Sequence, residues 1–265
     1  MTLLPENYNK EAYIEWHQKH IGEENFEEEI SQLRESLKEN CKQKLDMLGQ
    51  LLYQIKDHTE AECDIQSNGL LVGEFKLPTK SFSEHPSSQI YDNLFKSTDS
   101  IIEKCWRKNS KRDNGFVTIA TLTTEITDLI RTSVICSTLQ HAKLFTERLK
   151  SWHKIISDKD IKERFSEIKN IQVDQEAKLA SGYFAYHTLI EFTDGVVIEV
   201  QFYSVLSSAW RDMSHRLYEL TRVSSSPTLG LGSPEARLIS LGHMLYLAEF
   251  ELYILSEELK GRIAR

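Results

Sequence analysis

Tyr183-Phe-Ala-Tyr-His-Thr-Leu-Ile-Glu-Phe192, Thr193-Asp-Gly195 and Val196-Val-Ile-Glu-Val-Gln-Phe-Tyr203 decide how this chain folds. Both long runs are rich in aromatic and β-branched residues, which suit the pleated surface of a sheet. Between them, Asp194-Gly195 is a strong hairpin signal, because a two-residue turn needs positive φ at its centre. Such a two-residue turn would set Glu199 opposite Ile190 and Gln201 opposite Thr188, on the face of Tyr186 and away from His187, whereas a one-residue bulge would reverse this. Glu199 and Gln201, at i and i+2, share one face of the second strand and alternate with Ile198, Val200 and Phe202.

Upstream, Leu129–Cys136 reads as a short strand, followed by a helix from Gln140 to about Trp152. Leu70–Leu77 is a further candidate strand. From Glu24 to His58, Phe26, Ile30, Leu33, Leu37, Cys41, Leu45, Leu48, Leu52 and Ile55 recur every three or four residues, which predicts one long helix or two joined ones. A second helix is expected from Ser87 or Ser88 past Lys104, then a polar loop over residues 108–115. Downstream of the hairpin, a helix is expected from Val205 to about Leu220, a flexible loop over Ser224–Pro234 and a closing helix from Glu235 to about Leu259. The expected class is α+β, a mixed central sheet flanked by helices. The expected organisation is an N-terminal helical segment (1–75), a core (76–222) and a loop with the C-terminal helix (223–265).

With 265 residues, eleven glycines and five prolines, the chain is long enough for a core and too poor in Gly and Pro for a disordered or collagenous protein. A net charge of −8 argues against wholesale binding of a nucleic-acid backbone, though a local basic groove fits within it. Cys41, Cys63, Cys105 and Cys136 form no CxxC pair, so zinc and a disulfide framework are not expected and a reducing compartment is. No apolar run approaches the ~20 residues of a bilayer span, and the start carries no secretory pattern. The expectation is a soluble cytoplasmic protein with no membrane partner.

Four polar clusters stand where a core has no need of them. Lys96, Ser100 and Lys104, four apart, would share a helix face suited to a polyphosphate, or be a solvated stripe. Asp128, at the mouth of an apolar strand, suits a hard cation or a turn. Ser181-Gly-Tyr-Phe-Ala-Tyr-His187 offers rings that could stack on a nucleobase or simply fill a sheet. Glu199 and Gln201 form a polar pair on a strand that solvent exposure would also explain.

Taken in order, these clusters resemble the synthetase domain of the RelA/SpoT family, the makers of (p)ppGpp. Leu94-x-Lys96-x-x-x-Ser100-x-x-x-Lys104 resembles the family's Arg-x-Lys-x-x-x-Ser-x-x-x-Lys. Asp128-Leu-Ile-Arg131-Thr-Ser133 resembles Asp-x-x-Gly-x-Arg. Lys178-Leu-Ala-Ser-Gly182-Tyr183-Phe-Ala-Tyr-His187 resembles Lys-Pro-Asn-Gly-Tyr-Arg-Ser-Leu-His. Glu199-Val-Gln201-Phe-Tyr-Ser204 resembles Glu-[Ile/Val]-Gln-Ile-Arg-Thr, and Trp210-x-x-x-x-His215 matches Trp-x-x-x-x-His. The likeness spans about residues 88–220. The chain departs from it at Leu94, Ser133, Phe184 and Tyr203, each standing where the quoted motif carries arginine.

The resemblance implies a nucleotidyltransferase-like fold with N- and C-terminal helical extensions, and transfer of the diphosphate of ATP to the 3′-hydroxyl of GDP or GTP. It implies Mg²⁺ on Asp128 and Glu199, Glu199 as general base tuned by Gln201, and Lys96, Ser100, Lys104 and Arg131 on ATP. Tyr183 would stack on the acceptor base, Lys178, His187 and His215 would meet acceptor phosphates, and Trp210 would be structural. Two alternatives share these residues. One is a toxin of the same family that pyrophosphorylates the tRNA 3′ end, with an antitoxin partner; the basic residues Arg107, Lys108, Lys111 and Arg112 would suit it. The other is a non-catalytic nucleotide-binding relative.

Overall fold

The computed structural model describes residues 4–67, 74–85, 87–178, 181–221, 230 and 232–263. Five strands form one sheet in the order β1-β2-β5-β4-β3: β1 (Phe75–Lys76), β2 (Arg131–Cys136), β3 (Ile168–Lys178), β4 (Tyr183–Phe192) and β5 (Val197–Ser204). β2 and β5 run parallel and every other pairing is antiparallel, so the sheet is mixed. The helices are α1 (Lys10–Ile21), α2 (Phe26–Asn40), α3 (Lys42–Ser67), α4 (Ser88–Asp92), α5 (Thr98–Asn109) and α6 (Leu122–Glu125). They continue with α7 (Leu139–Lys150), α8 (Trp152–Ile155), α9 (Lys159–Arg164), α10 (Val205–Thr221) and α11 (Pro234–Ile263). This is the expected α+β class.

The hairpin departs from expectation in one consequential way. Phe192 N–H donates to the Val196 carbonyl and Gly195 N–H to that of Phe192, which closes a three-residue loop with Gly195 at φ 87°. The extra residue shifts the register by one. Glu199 therefore faces Leu189, and Gln201 faces His187. Both now share a sheet face with His187, the reverse of what a two-residue turn would give.

The helix expected to run past Lys104 is broken in two. Phe95 bridges Ile130, Lys96 N–H donates to the Leu129 carbonyl and Arg131 N–H to that of Leu94, which keeps residues 94–96 extended. The Ser97 hydroxyl then accepts from Ser100 N–H and starts α5. Lys96 is thus not on the face that carries Ser100 and Lys104. The long N-terminal helix breaks at Cys41 into α2 and α3. Of the candidate strand at residues 70–77, only Phe75–Lys76 is paired, and 70–73 lie outside the described residues, as do 224–229 and 231 of the expected loop.

α1 and β3 are not anticipated by the hydrophobic pattern. α1 is capped by Asn9, whose side chain accepts from Ala12 N–H, and buries Tyr13, Trp16 and His17. β3 is an edge strand, Ile-Lys-Asn-Ile-Gln-Val-Asp-Gln-Glu-Ala-Lys, whose charges blunt an open edge and hide its period.

One apolar core runs from Tyr13 and Phe26 through Leu45, Leu48 and Leu52 to Ile198, Val200 and Phe202. Phe145 of α7 packs on Phe202 with ring centroids 5.2 Å apart. Ile198, Val200 and Phe202 thus face α7, and Glu199, Gln201 and Tyr203, by alternation, face the opposite side. α11 docks through Tyr246, stacked on Phe184 at 4.2 Å, and through buried Glu249, which accepts from Leu139 N–H at 2.6 Å and from the Ser204 hydroxyl. Its opposite face exposes Met244, Leu247, Leu252, Leu255 and Leu259. The expectation that nothing in the chain is apolar enough to span a bilayer is corrected here. Pro234–Leu259 reaches that length and composition, because its few charged residues are spread thinly among leucines.

Candidate active site

A cleft of about 510 Å³ opens over the polar face of β5. α5 and the turn before β2 wall one side, with Lys96, Ser100, Glu103, Lys104, Arg107, Thr127, Asp128 and Arg131. β4, β5 and α10 wall the other, with Tyr183, His187, Glu199, Gln201, Tyr203, Trp210, Arg211, Ser214 and His215. Five cationic side chains, Lys96, Lys104, Arg107, Arg131 and Arg211, stand against three carboxylates, Glu103, Asp128 and Glu199. A larger concavity of about 660 Å³ between α10 and α11 is lined by Met213, Leu238, Leu241 and Met244 and carries a single charged side chain, Arg237.

Asp128 lies half-buried between two ammonium groups, its Oδ2 3.0 Å from Lys96 Nζ and its Oδ1 2.6 Å from Lys104 Nζ. Burial by itself would raise this carboxyl, but the two lysines outweigh it and hold it at about 2. Burial lowers the Lys96 ammonium in turn, partly offset by Asp128. Lys96 is placed by its backbone, whose carbonyl accepts from Arg34 Nε of α2 at 3.2 Å. Ser100, Lys104 and Arg107 follow at helical spacing on α5, so the predicted lysines converge from two elements rather than one.

Arg131 pairs across the parallel ladder with Glu199, and Ser133 with Gln201, so β2 brings Asp128 and Arg131 to the Glu199 side of the sheet. The two carboxylates separated by more than seventy residues thus line one cleft. Glu199 is 6% exposed. Its Oε1 meets Nδ1 of His187, whereas Oε2 is buried with no hydrogen-bond partner. Burial pushes the Glu199 carboxyl up, but His187, with help from Gln201, brings it below the usual range, and Asp128 opposes them. Glu199 is therefore an anion at neutral pH.

A hydrogen-bonded chain extends from Glu199. His187 Nε2 lies 2.8 Å from Tyr183 Oη, which lies 2.9 Å from Tyr203 Oη, and Tyr203 donates to Gln201 Oε1. His187, expected at acceptor phosphates, is thus engaged on both ring nitrogens within the protein. Tyr183 sits at the first position of β4, its ring 6.3 Å from that of Trp210. Trp210 donates to the Leu238 carbonyl of α11, which fits its structural reading, yet it also lines the cleft. His215 lines the cleft, and the side chain of Lys178 lies outside the described residues. Leu94 is buried in the core and absent from the cleft wall. Of the basic patch, Lys108 and Arg112 both bond Glu125, and only Arg107 reaches the cleft.

Sequence reasoning missed Tyr203 and Arg211. The signal for the first was present, since 199, 201 and 203 continue one period-2 face. Arg211 adjoins Trp210, but its direction depends on how α10 leaves the strand.

The Glu199 Oε2 atom, an orphaned buried oxygen, fits a divalent cation, and Asp128, bonded to Lys96 and Lys104, lines the same cleft. Among the described residues no group of three or more His, Cys, Asp or Glu forms a metal site by itself. Two carboxylates suit Mg²⁺, which keeps water and phosphate as its remaining ligands.

A mixed sheet with a polar, cation-rich cleft and a buried anionic glutamate offers the chemistry that suits phosphate-bearing ligands. Residues 94–220 match the family described as "Region found in RelA / SpoT proteins", and the chain carries that RelA/SpoT domain. Solved structures similar to it include small alarmone synthetase 1 from Bacillus subtilis, at 14% identity over 80% of this chain and 95% of that one, TM-score 0.43. The same protein bound to its product pppGpp matches at 19% identity over 63% of this chain and 76% of that one, TM-score 0.40. A GTP pyrophosphokinase family protein from Streptococcus pneumoniae matches at 15% identity over 80% of this chain and 91% of that one, TM-score 0.41. No curated protein matches the chain.

Proposed function

We propose that the chain is a pyrophosphokinase that moves the diphosphate of ATP onto the 3′-hydroxyl of GDP or GTP. The observation that carries this reading is Glu199, a buried carboxylate with one oxygen held by His187 and the other open, over a cleft with five cations. The RelA/SpoT domain match over the residues that build the cleft supports it.

The acceptor 3′-oxygen would attack the β-phosphorus of ATP while its proton passes to Glu199. The new O–P bond forms as the bond from that phosphorus to the α,β-bridging oxygen breaks, and AMP leaves with the electron pair. Such transfer depends on positioning and charge neutralisation more than on covalent help. Lys96, Lys104, Arg107 and Arg131 supply positive charge on the ATP side. His187, bonded to Tyr183, holds the Glu199 carboxylate in orientation. Asp128 and Glu199 would hold Mg²⁺, which supplies neutralisation of the polyphosphate charge. A reducing, cytoplasmic setting accords with four buried cysteines that form no CxxC pair.

The test is incubation with γ-labelled ATP and, separately, GDP, GTP and deacylated tRNA. Label on GDP or GTP is the expected result, with a loss of at least ~10²-fold in Glu199→Gln, the scale of a removed general base. Label on tRNA alone, or transfer unchanged in Glu199→Gln, would overturn the reading. The pairing of Lys108 and Arg112 with Glu125 leaves the tRNA reading with less free basic surface than the sequence promises.

A further inference from the structure

Among the five cations that line the cleft, Arg211 is distinguished by the ring beneath it and by a buried guanidinium nitrogen without a partner. Lys96 and Lys104 share Asp128, and Lys108 and Arg112 share Glu125. Arg211 has no ion pair among the described residues, and its Nε is buried without a hydrogen-bond partner. Its Cζ lies 4.7 Å from the centre of the Tyr203 ring. That ring is 1% exposed and is fixed at its hydroxyl by Gln201 and Tyr183. A guanidinium laid on a fixed ring gains a cation–π contact and keeps its N–H edge free to bind. A partly buried cation without an anion is costly, and a ligand oxygen pair offsets that cost.

We infer that Arg211 is an anion-binding residue that grips a phosphate of the bound nucleotide from the α10 side, and that Tyr203 is the positioning residue that carries it. At position 203 the resembling motif has an arginine on the strand itself. Here the strand supplies the ring and the helix supplies the cation. The inference rests on the reading of this cleft as a nucleotide site, and it adds a phosphate contact opposite the Lys96, Lys104 and Asp128 wall.

The test is titration calorimetry of the full chain with inorganic tripolyphosphate and with GDP, on Arg211→Gln, Arg211→Lys, Tyr203→Phe and Tyr203→Leu, each checked by thermal melting. Arg211→Gln and Tyr203→Leu are expected to weaken tripolyphosphate about tenfold or more, the scale of a lost charged hydrogen bond. Tyr203→Phe keeps the ring and is expected to change it less than about threefold. Arg211→Lys, which keeps charge but loses the planar fork, is expected to fall between and serves if the glutamine variant does not fold. Tripolyphosphate bound by Arg211→Gln as tightly as by the unchanged protein overturns the inference, whatever GDP does. Equal loss in Tyr203→Phe and Tyr203→Leu overturns the role given to the ring. Weakened tripolyphosphate in a protein that neither binds GDP nor labels it upholds Arg211 as an anion-binding residue and removes the pyrophosphokinase reading.

Discussion

Asp128 shows how one side chain can organise a cleft before any ligand arrives. Its two oxygens gather Lys96 and Lys104 at a partly buried wall of the cleft. The carboxyl is depressed from 3.8 to about 2, so its pairing stabilises the fold fully above the unfolded value and is lost as pH falls toward 2. The shift corresponds to ~2 kcal/mol. Asp128→Asn should therefore melt lower than the unchanged protein at pH 5, with the gap closing on acidification toward pH 2; an unvarying gap would show that the charge is not what matters. Most residues that line the cleft were named from the sequence because five short motifs in one order carry the resemblance: Lys96, Lys104, Asp128, Arg131, Tyr183, Glu199, Gln201 and His215 all line it. The partners of each were not legible. That His187 serves Glu199 instead of solvent or phosphate depends on strand register, which no residue type records.

The elements were read well where periodicity is strong. β4 is observed over Tyr183–Phe192 as expected, and β5 and α10 begin within a residue or two of expectation. The hairpin between β4 and β5 failed at the level of a single residue, because Asp-Gly serves both a two-residue turn and the last two positions of a three-residue loop. Lys44 of α3 also bonds Asp194 at 2.9 Å, a tertiary restraint on the longer loop that local propensity cannot show. Gly195 has open space around its α-carbon, so Gly195→Ala should cost only the ~1 kcal/mol of a left-handed alanine, read by denaturant titration, and leave transfer intact. Deletion of Thr193 should instead abolish transfer in a folded protein, by turning Glu199 and Gln201 to the α7 face; retained activity would mean that the register is set elsewhere.

At the scale of the whole molecule, α11 combines two opposite environments. Its outer leucines lie about half exposed or more, so Leu247→Lys with Leu255→Lys should change stability by less than ~0.5 kcal/mol each while lowering self-association seen by light scattering. Its inner face meets the sheet main chain on main chain. A Cβ on Gly242 would come 2.3 Å from the Gly182 carbonyl oxygen, and one on Gly182 would come 2.6 Å from that of Ile239. Gly242→Ala should thus push α11 and the start of β4 apart and reduce transfer through Tyr183, which follows Gly182 directly. A crystal structure or an activity assay of that variant checks this, and wild-type activity would show that the contact yields freely. Backbone cannot change rotamer, so no compensating side-chain movement is open to either partner. Over evolutionary drift the two flanks of this one helix are therefore held to very different standards: the leucine side is free to wander, while a single added methyl on the other would be felt as far as the Tyr183 ring.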